Sequence, residues 1–212
     1  MLPVLFISVI ILIIIILFVF PQFSPIPYYP SNMKDKENIL KALSLKNGQA
    51  IIDLGAGDGV VVFEAAYESW KRKRDTKFVA LEINPMLVAI LWVKWLLHPN
   101  RKNIKIVWGD MFKIDYLSLR ARAKQSRTKI AASSGFAETP RNDICVTFYL
   151  YISPWLIEKV VSRIQKHLPN SSFVSYFYPI KSLKKKEKIL KGIHNTYYYP
   201  SSFKMASGVS TT

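Results

Sequence analysis

Hydrophobic and polar positions change rhythm several times along this chain. Residues 2–20, LPVLFISVIILIIIILFVF, carry no charge and a single polar side chain, Ser8. As a helix rising about 1.5 Å per residue, such a run is long enough to cross a bilayer. No basic stretch precedes it and no small-x-small cleavage site stands before Pro21, which favours a retained anchor over a signal peptide. Residues 21–32, PQFSPIPYYPSN, hold four prolines and predict an extended arm rather than a helix or inner strand. The next segment, MKDKENILKALSLKNG, reads as an amphipathic helix with Ile39, Leu40, Leu43 and Leu45 inward and Gly48 as its stop.

Beyond that helix, short apolar runs alternate with longer periodic ones. Strands are predicted near 50–54, 77–82, 103–108, 143–150 and 171–178, with helices over 58–72, 85–97 and 154–167. Strands alternating with helices imply a parallel sheet covered on both faces. The helix at Met86–Leu97, MLVAILWVKWLL, has Lys94 as its only charge. Twelve residues are too few to span a membrane, so the pattern predicts a doubly buried core helix, with a face open to membrane or partner as the other reading. Residues 117–142, LSLRARAKQSRTKIAASSGFAETPRN, offer little to bury and read as a helix end followed by a mobile loop. After residue 178 the pattern gives a basic short helix, a strand through Tyr197, Tyr198 and Tyr199, and a frayed tail over 206–212.

Charge narrows the partners. With 30 Lys and Arg against 14 Asp and Glu, the net charge is +16, a field that attracts nucleic acid or an anionic membrane surface. Cys145 is the sole cysteine, so no intramolecular disulfide forms and a buried, reduced thiol is expected. His98, His167 and His194 lack a second ligand at helical spacing, and no metal site is predicted. Lys34 and Lys36 follow the apolar segment, which places the C-terminal domain on the cytoplasmic side of a single-pass membrane protein.

The chemistry begins at Ile51, in IIDLGAGDGVVVFEAA. Gly55, Gly57 and Gly59 alternate with other residues just after a strand, where open α/β sheets place their ligands. The spacing is G-x-G-x-G, and Val60 stands where a dinucleotide fingerprint has its third glycine. Asp53 and Asp58 make the loop acidic, which repels a pyrophosphate and suits a cationic ligand. Two further strand ends carry acids: Glu82 in ALEINP and Asp110 in VWGDMF.

Together these stretches resemble a class I S-adenosylmethionine-dependent methyltransferase, a Rossmann-like sheet with helices on both faces. The resemblance implies S-adenosylmethionine as cofactor, held by Asp53, Gly55, Ala56, Gly57, Asp58 and Gly59 of the loop. It further implies Glu82 and Ile83 at the ribose, and Asp110 and Met111 at the adenine. With IPYYPS, LEINPMLV, GDMFKIDY and FYLYISPWLIEKVVSRIQKHLPNSSFVSYFYPI added, residues 25–180 resemble the membrane-anchored protein-lysine methyltransferases that act on ATP synthase c-subunit and adenine nucleotide translocase. Val60 departs from the arginine common at that place, and the 117–142 segment is longer and more basic than the pattern.

Methyl transfer requires alignment and, for a lysine acceptor, a neutral amine in a dry aromatic pocket. Candidates for that catalytic wall are Tyr149 and Tyr151 after the fourth strand, and Tyr28 and Tyr29 in the arm. The N/D-P-P-Y motif of many base and amide N-methyltransferases is missing, which argues against nucleic acid as acceptor. The expected organisation is an anchor at 1–20, an arm at 21–33, a methyltransferase domain at 34–205 and a tail. A protein substrate, possibly membrane-embedded, leads; a small or lipid acceptor, or a tethered binding module without turnover, stays open.

Overall fold

The computed structural model describes residues 2–19, 31–131 and 145–201. Thirteen helices and strands follow one another in these segments. They are α1 (Leu2–Val19), α2 (Lys36–Leu43), β1 (Gln49–Leu54), α3 (Val60–Lys71), β2 (Lys77–Glu82), α4 (Pro85–Leu97) and β3 (Ile104–Trp108). Then come α5 (Tyr116–Ala131), β4 (Cys145–Leu150), α6 (Pro154–His167), β5 (Ser172–Tyr176), β6 (Lys188–Leu190) and β7 (Thr196–Tyr199).

The strands form one sheet in the order β3-β2-β1-β4-β5-β7-β6. Strands β1 to β5 pair in parallel, while β7 runs antiparallel to both neighbours, so the sheet is mixed rather than wholly parallel. One face is covered by α5 and α6, through Leu119, Ala123, Ile157, Val160 and Ile164. The other is covered by α2, α3 and α4, through Ile39, Leu43, Val62, Ala65 and Leu91. Strands β1, β2 and β5 are buried along their whole length, as inner strands of a sheet covered on both faces are.

Helix boundaries follow local chemistry. Helix α4 starts where the Asn84 side chain accepts the Met86 N–H and Pro85 fills the first turn. Helix α2 ends at Leu43, ahead of the expected stop at Gly48, because Ser44 adopts a left-handed conformation and its N–H closes on the Leu40 carbonyl.

Four expectations change. The helix end read at the start of the 117–142 stretch is longer than expected: α5 runs from Tyr116 to Ala131, with Tyr116, Leu119 and Ala123 buried against the sheet. A parallel crossover from edge strand β3 to β4 must pass over β2 and β1, and three inward residues at helical spacing suffice to dock it. Helix α4 is not doubly buried; only Val88 and Leu91 are enclosed. The expected basic short helix after residue 178 is a 3-10 helix over residues 181–186, but it leads into β6, a strand the basic pattern concealed. Lastly, α1 covers 18 described residues, about 27 Å. Among the described residues no helix is long and apolar enough to cross a membrane, and the expected transmembrane helix is not supported. Cys145 is half-buried, and burial raises its thiol pKa. The arm through residue 30, the remainder of the 117–142 stretch and the tail lie outside the described residues.

Candidate active site

The sheet reverses its winding between β1 and β4, since β2 and β3 lie to one side and β5 to the other. Open α/β sheets bind ligands at the carboxyl ends of the strands beside such a switch. Residues 55–59 occupy that position. Gly55, Gly57 and Gly59 have φ of 79°, 59° and 78°, a left-handed backbone that side chains resist. Their reasons differ. A Cβ on Gly59 would lie 2.4 Å from Leu91 Cδ2 and 2.7 Å from Phe63 Cε2, so this glycine lets α3 and α4 close on each other. At Gly55 the nearest side-chain atoms would be Met111 Cε at 3.3 Å and Ile152 Cγ2 at 3.5 Å, a tight but different fit.

Glu82, at the end of β2, organises the loop. Its Oε2 accepts the Gly57 N–H at 2.8 Å, and its Oε1 accepts the N–H groups of Ile83 and Asn84 at 2.9 and 2.8 Å. The Ala56 and Gly55 amides both donate to the Leu81 carbonyl at 2.9 Å. Asp53 is buried at the base of the same loop. Burial, then the charges of Glu82 and Asp58, push its carboxyl well above the ordinary value. Asp58 is balanced from outside: Lys94 Nζ donates to its Oδ2 at 2.6 Å and to its carbonyl at 2.9 Å. The sole charge of α4 is thereby accounted for. Asp53 and Glu82, rather than Asp53 and Asp58, form the acidic floor.

At the third strand end, Asp110 is occupied locally, its Oδ1 accepting the Phe112 N–H at 2.8 Å. The Met111 side chain is buried beside Gly55, and its carbonyl accepts the Tyr116 hydroxyl at 2.6 Å. Trp108 is 68% exposed and donates its Nε1–H to the Ile83 carbonyl at 2.9 Å, so it edges the same corner; nothing in the sequence pattern marked it.

The tyrosines separate. Tyr149 is only 2% exposed and its hydroxyl lies 2.8 Å from Ser31 Oγ, so it is enclosed and holds the exit of the arm against the sheet. Burial pushes its pKa well up. Tyr151 follows Leu150, which is level with Leu54 of β1 and Ser175 of β5. The next residues on those strands, Gly55, Tyr151 and Tyr176, are therefore neighbours at one edge. Tyr151 and Tyr176 meet edge to face at 5.0 Å, and His194 extends the group to Tyr176 at 5.8 Å and Phe177 at 4.6 Å. Phe177 has φ of 71°, a strained backbone for a bulky residue. Asp35 anchors this group: it is 2% exposed and accepts the Tyr176 hydroxyl at 2.7 Å and the N–H groups of Ile193 and His194 at 2.7 and 2.9 Å. Burial raises its pKa, but these hydrogen bonds outweigh burial and leave it below the ordinary value. Tyr176, Phe177, His194 and Asp35 do not stand out as site residues in the sequence; the aromatic run SYFYP is the available signal. Tyr28 and Tyr29 lie outside the described residues. Among the described residues no group of three or more His, Cys, Asp or Glu side chains could hold a metal ion.

No protein-family model matches the chain. The lysine N-methyltransferase of the ATP synthase c-subunit from Xenopus laevis is 31% identical over 91 residues, covering 41% of this chain and 37% of that protein. Its Homo sapiens counterpart is 33% identical over 91 residues, covering 43% of this chain and 36% of that protein. The chain thus spans little more than a third of the length of these two relatives. An RNA methyltransferase from Salinibacter ruber, solved in complex with S-adenosyl-L-homocysteine, superposes with a TM-score of 0.58 at 17% identity, over 85% of this chain and 98% of that one. The domain has the class I methyltransferase fold.

Proposed function

We propose that this protein is an S-adenosylmethionine-dependent methyltransferase whose acceptor is the side-chain amine of a lysine in a protein, with membrane proteins as the leading substrate class. The observation that carries the reading is an acid-floored glycine loop at the switch point, set beside an aromatic wall of Tyr151, Tyr176, Phe177 and His194. The partial likeness to lysine N-methyltransferases supports the acceptor class.

The residues fit such a cofactor on their own chemistry. Asp53, buried with Glu82 near it, disfavours its own ionised form, and a cationic ligand in front of the loop relieves that. A pyrophosphate would aggravate it. Held there, S-adenosylmethionine supplies a methyl group on a positively charged sulfur. Asp53, Glu82 and the 55–59 backbone would hold it, with Ile83, Asp110 and Met111 forming the adenine side.

The chain's remaining task is to present an uncharged amine. Deprotonating lysine from a reference pKa of about 10.4 at neutral pH costs about 4.6 kcal/mol. Tyr151, Tyr176 and Phe177 exclude water from the acceptor, which lowers that cost by destabilising the ammonium form. Tyr28 and Tyr29, close in sequence to Ser31, whose hydroxyl bonds Tyr149, belong to this proposal as a lid.

Attachment to a membrane through segment 2–20, with the catalytic domain on the cytoplasmic side, is also part of the reading. Its support is composition: an uncharged apolar run with Lys34 and Lys36 after it. Incubation with methyl-labelled cofactor and membranes of the source organism tests the whole. Label should appear on lysine in protein and be lost in Tyr151→Ala; label in lipid or a small molecule would replace this acceptor with the alternative, and no transfer with intact cofactor binding would leave a binding module.

A further inference from the structure

The outer face of α4 is apolar where a globular domain would be polar. Val93 is 60% exposed and Leu97 84%, with Ala89, Ile90, Trp92 and Leu96 exposed beside them. These positions recur at helical spacing on the side away from Val88 and Leu91, which pack inward. Helix α4 lies over β2 and edge strand β3, at the margin of the sheet. No neighbouring element among the described residues covers this side.

The margin around it is aromatic and basic. Just after α4, His98 Nε2 lies 3.0 Å from the Phe63 carbonyl and Asn100 Nδ2 donates to the Ala66 carbonyl at 2.8 Å. One turn farther along α3 stand Tyr67 and Trp70, both exposed, and then Lys71, Arg72, Lys73 and Arg74. Arg101 and Lys102 are exposed at the other helix's end. The nearby acids are already paired: Glu68 with Arg72 at 2.6 Å, Glu64 with Lys36 at 2.8 Å and Asp75 with Lys77 at 2.5 Å. An apolar helix face, tryptophan and tyrosine at its border, and a rim of net positive charge are the components of an interfacial membrane site.

We infer that α4 is a lipid-docking helix, its outer face resting in the headgroup and upper acyl region of an anionic bilayer, with Lys71, Lys73, Arg101 and Lys102 on the lipid phosphates. Charge selects this occupant over a second copy of the chain, because two such rims brought together would repel. At 13 residues α4 is about 20 Å long, suited to lying in the interface and too short to span it. It begins three residues after Glu82, so the bilayer would run beside the cofactor end of the sheet. This contact is independent of α1 and of the reaction.

The test uses the full chain with Cys145→Ser and Val93→Cys, labelled with an environment-sensitive fluorophore. A second sample carries the label at Lys166→Cys, exposed on α6 across the sheet. Vesicles contain phosphatidylcholine, phosphatidylserine and a lipid with a shallow quencher. Quenching is expected at position 93 and not at 166. Adding Lys73→Glu and Lys102→Glu should weaken it about thirtyfold or more, since each of the two basic residues near such a surface contributes about 1 kcal/mol. Hydrogen exchange on the unaltered chain gives a second readout, with α4 amides slowed by vesicles and α6 amides unchanged. Equal quenching at both positions, none at 93, or indifference to the charge reversals would overturn the assignment. So would a concentration-dependent blue shift without lipid, which would give the face to a second copy.

Discussion

Glu82 Oε2 stands 2.8 Å from the Gly57 amide nitrogen, so the acid expected at the ribose also holds the glycine loop in shape. Together with the Ile83 and Asn84 amides it satisfies three backbone donors. Glu82→Ala should therefore weaken cofactor binding and also destabilise the domain by about 2 kcal/mol, because buried donors lose their acceptor. Glu82→Gln, which keeps one oxygen, should cost less stability. Urea unfolding beside calorimetric titration separates the effects; unchanged stability in Glu82→Ala would remove the organising role.

The loop glycines should fail in different ways. Gly59→Ala drives a methyl group into Leu91 and Phe63 in a left-handed backbone, and a loss of about 2–4 kcal/mol is expected from overpacking and strain. Gly57→Val should act mainly on ligand approach, with a large fall in S-adenosylmethionine affinity beyond its backbone strain. A variant series in which both lose stability and affinity in parallel would contradict this division.

Asp53 predicts an unusual pH response. Its folded pKa is raised, so the native state holds the proton more tightly than the unfolded chain. The resulting destabilisation is absent below the unfolded carboxyl range, grows as pH rises toward the folded pKa, and is complete above it. Asp53→Asn should hence stabilise the ligand-free domain at neutral pH while weakening cofactor binding, with the stability gain vanishing below about pH 4. Thermal melts across that range would show it; a variant less stable at neutral pH would refute the sign.

Asp35 works the other way. Its folded pKa is lowered, so its stabilisation is present above the unfolded value and is lost as pH falls through the folded one. Asp35→Asn should flatten the acid limb of the stability profile below about pH 4 and loosen the segment around His194. Faster amide exchange at Ile193 and His194 is the local signature.

Truncation tests the arm. A chain starting at Pro25 retains Ser31 and its contact with Tyr149, and should bind cofactor as the full chain does, because every described site residue lies beyond α1. A chain starting at Met33 loses that hydrogen bond and should be less stable by about 1 kcal/mol. Activity on a membrane-resident acceptor should fall in both, through lost effective concentration, if segment 2–20 tethers the enzyme.

The alternating strand and helix pattern, the boundaries of β2, α4 and α6, and the acids at three strand ends were legible in the sequence, because hydrophobic period and capping residues act within a few positions. Asn84 before Pro85 marks a helix start wherever the sheet lies. What the pattern could not carry is contact across distance. Helix α5 is basic and serine-rich, and only the need to cross from β3 to β4 makes its few inward residues sufficient. The pairing of Lys94 with Asp58 spans 36 residues, and that of Asp35 with the His194 amide spans 159. Tyr149 and Tyr151 look alike in FYLYI and, two residues apart, share a face; Tyr149 is enclosed because it lies within β4, and Tyr151 lies past the strand's end beside Tyr176. Local rules placed the elements and their chemical groups; which groups face each other was decided by strand order and register, which depend on the whole chain at once.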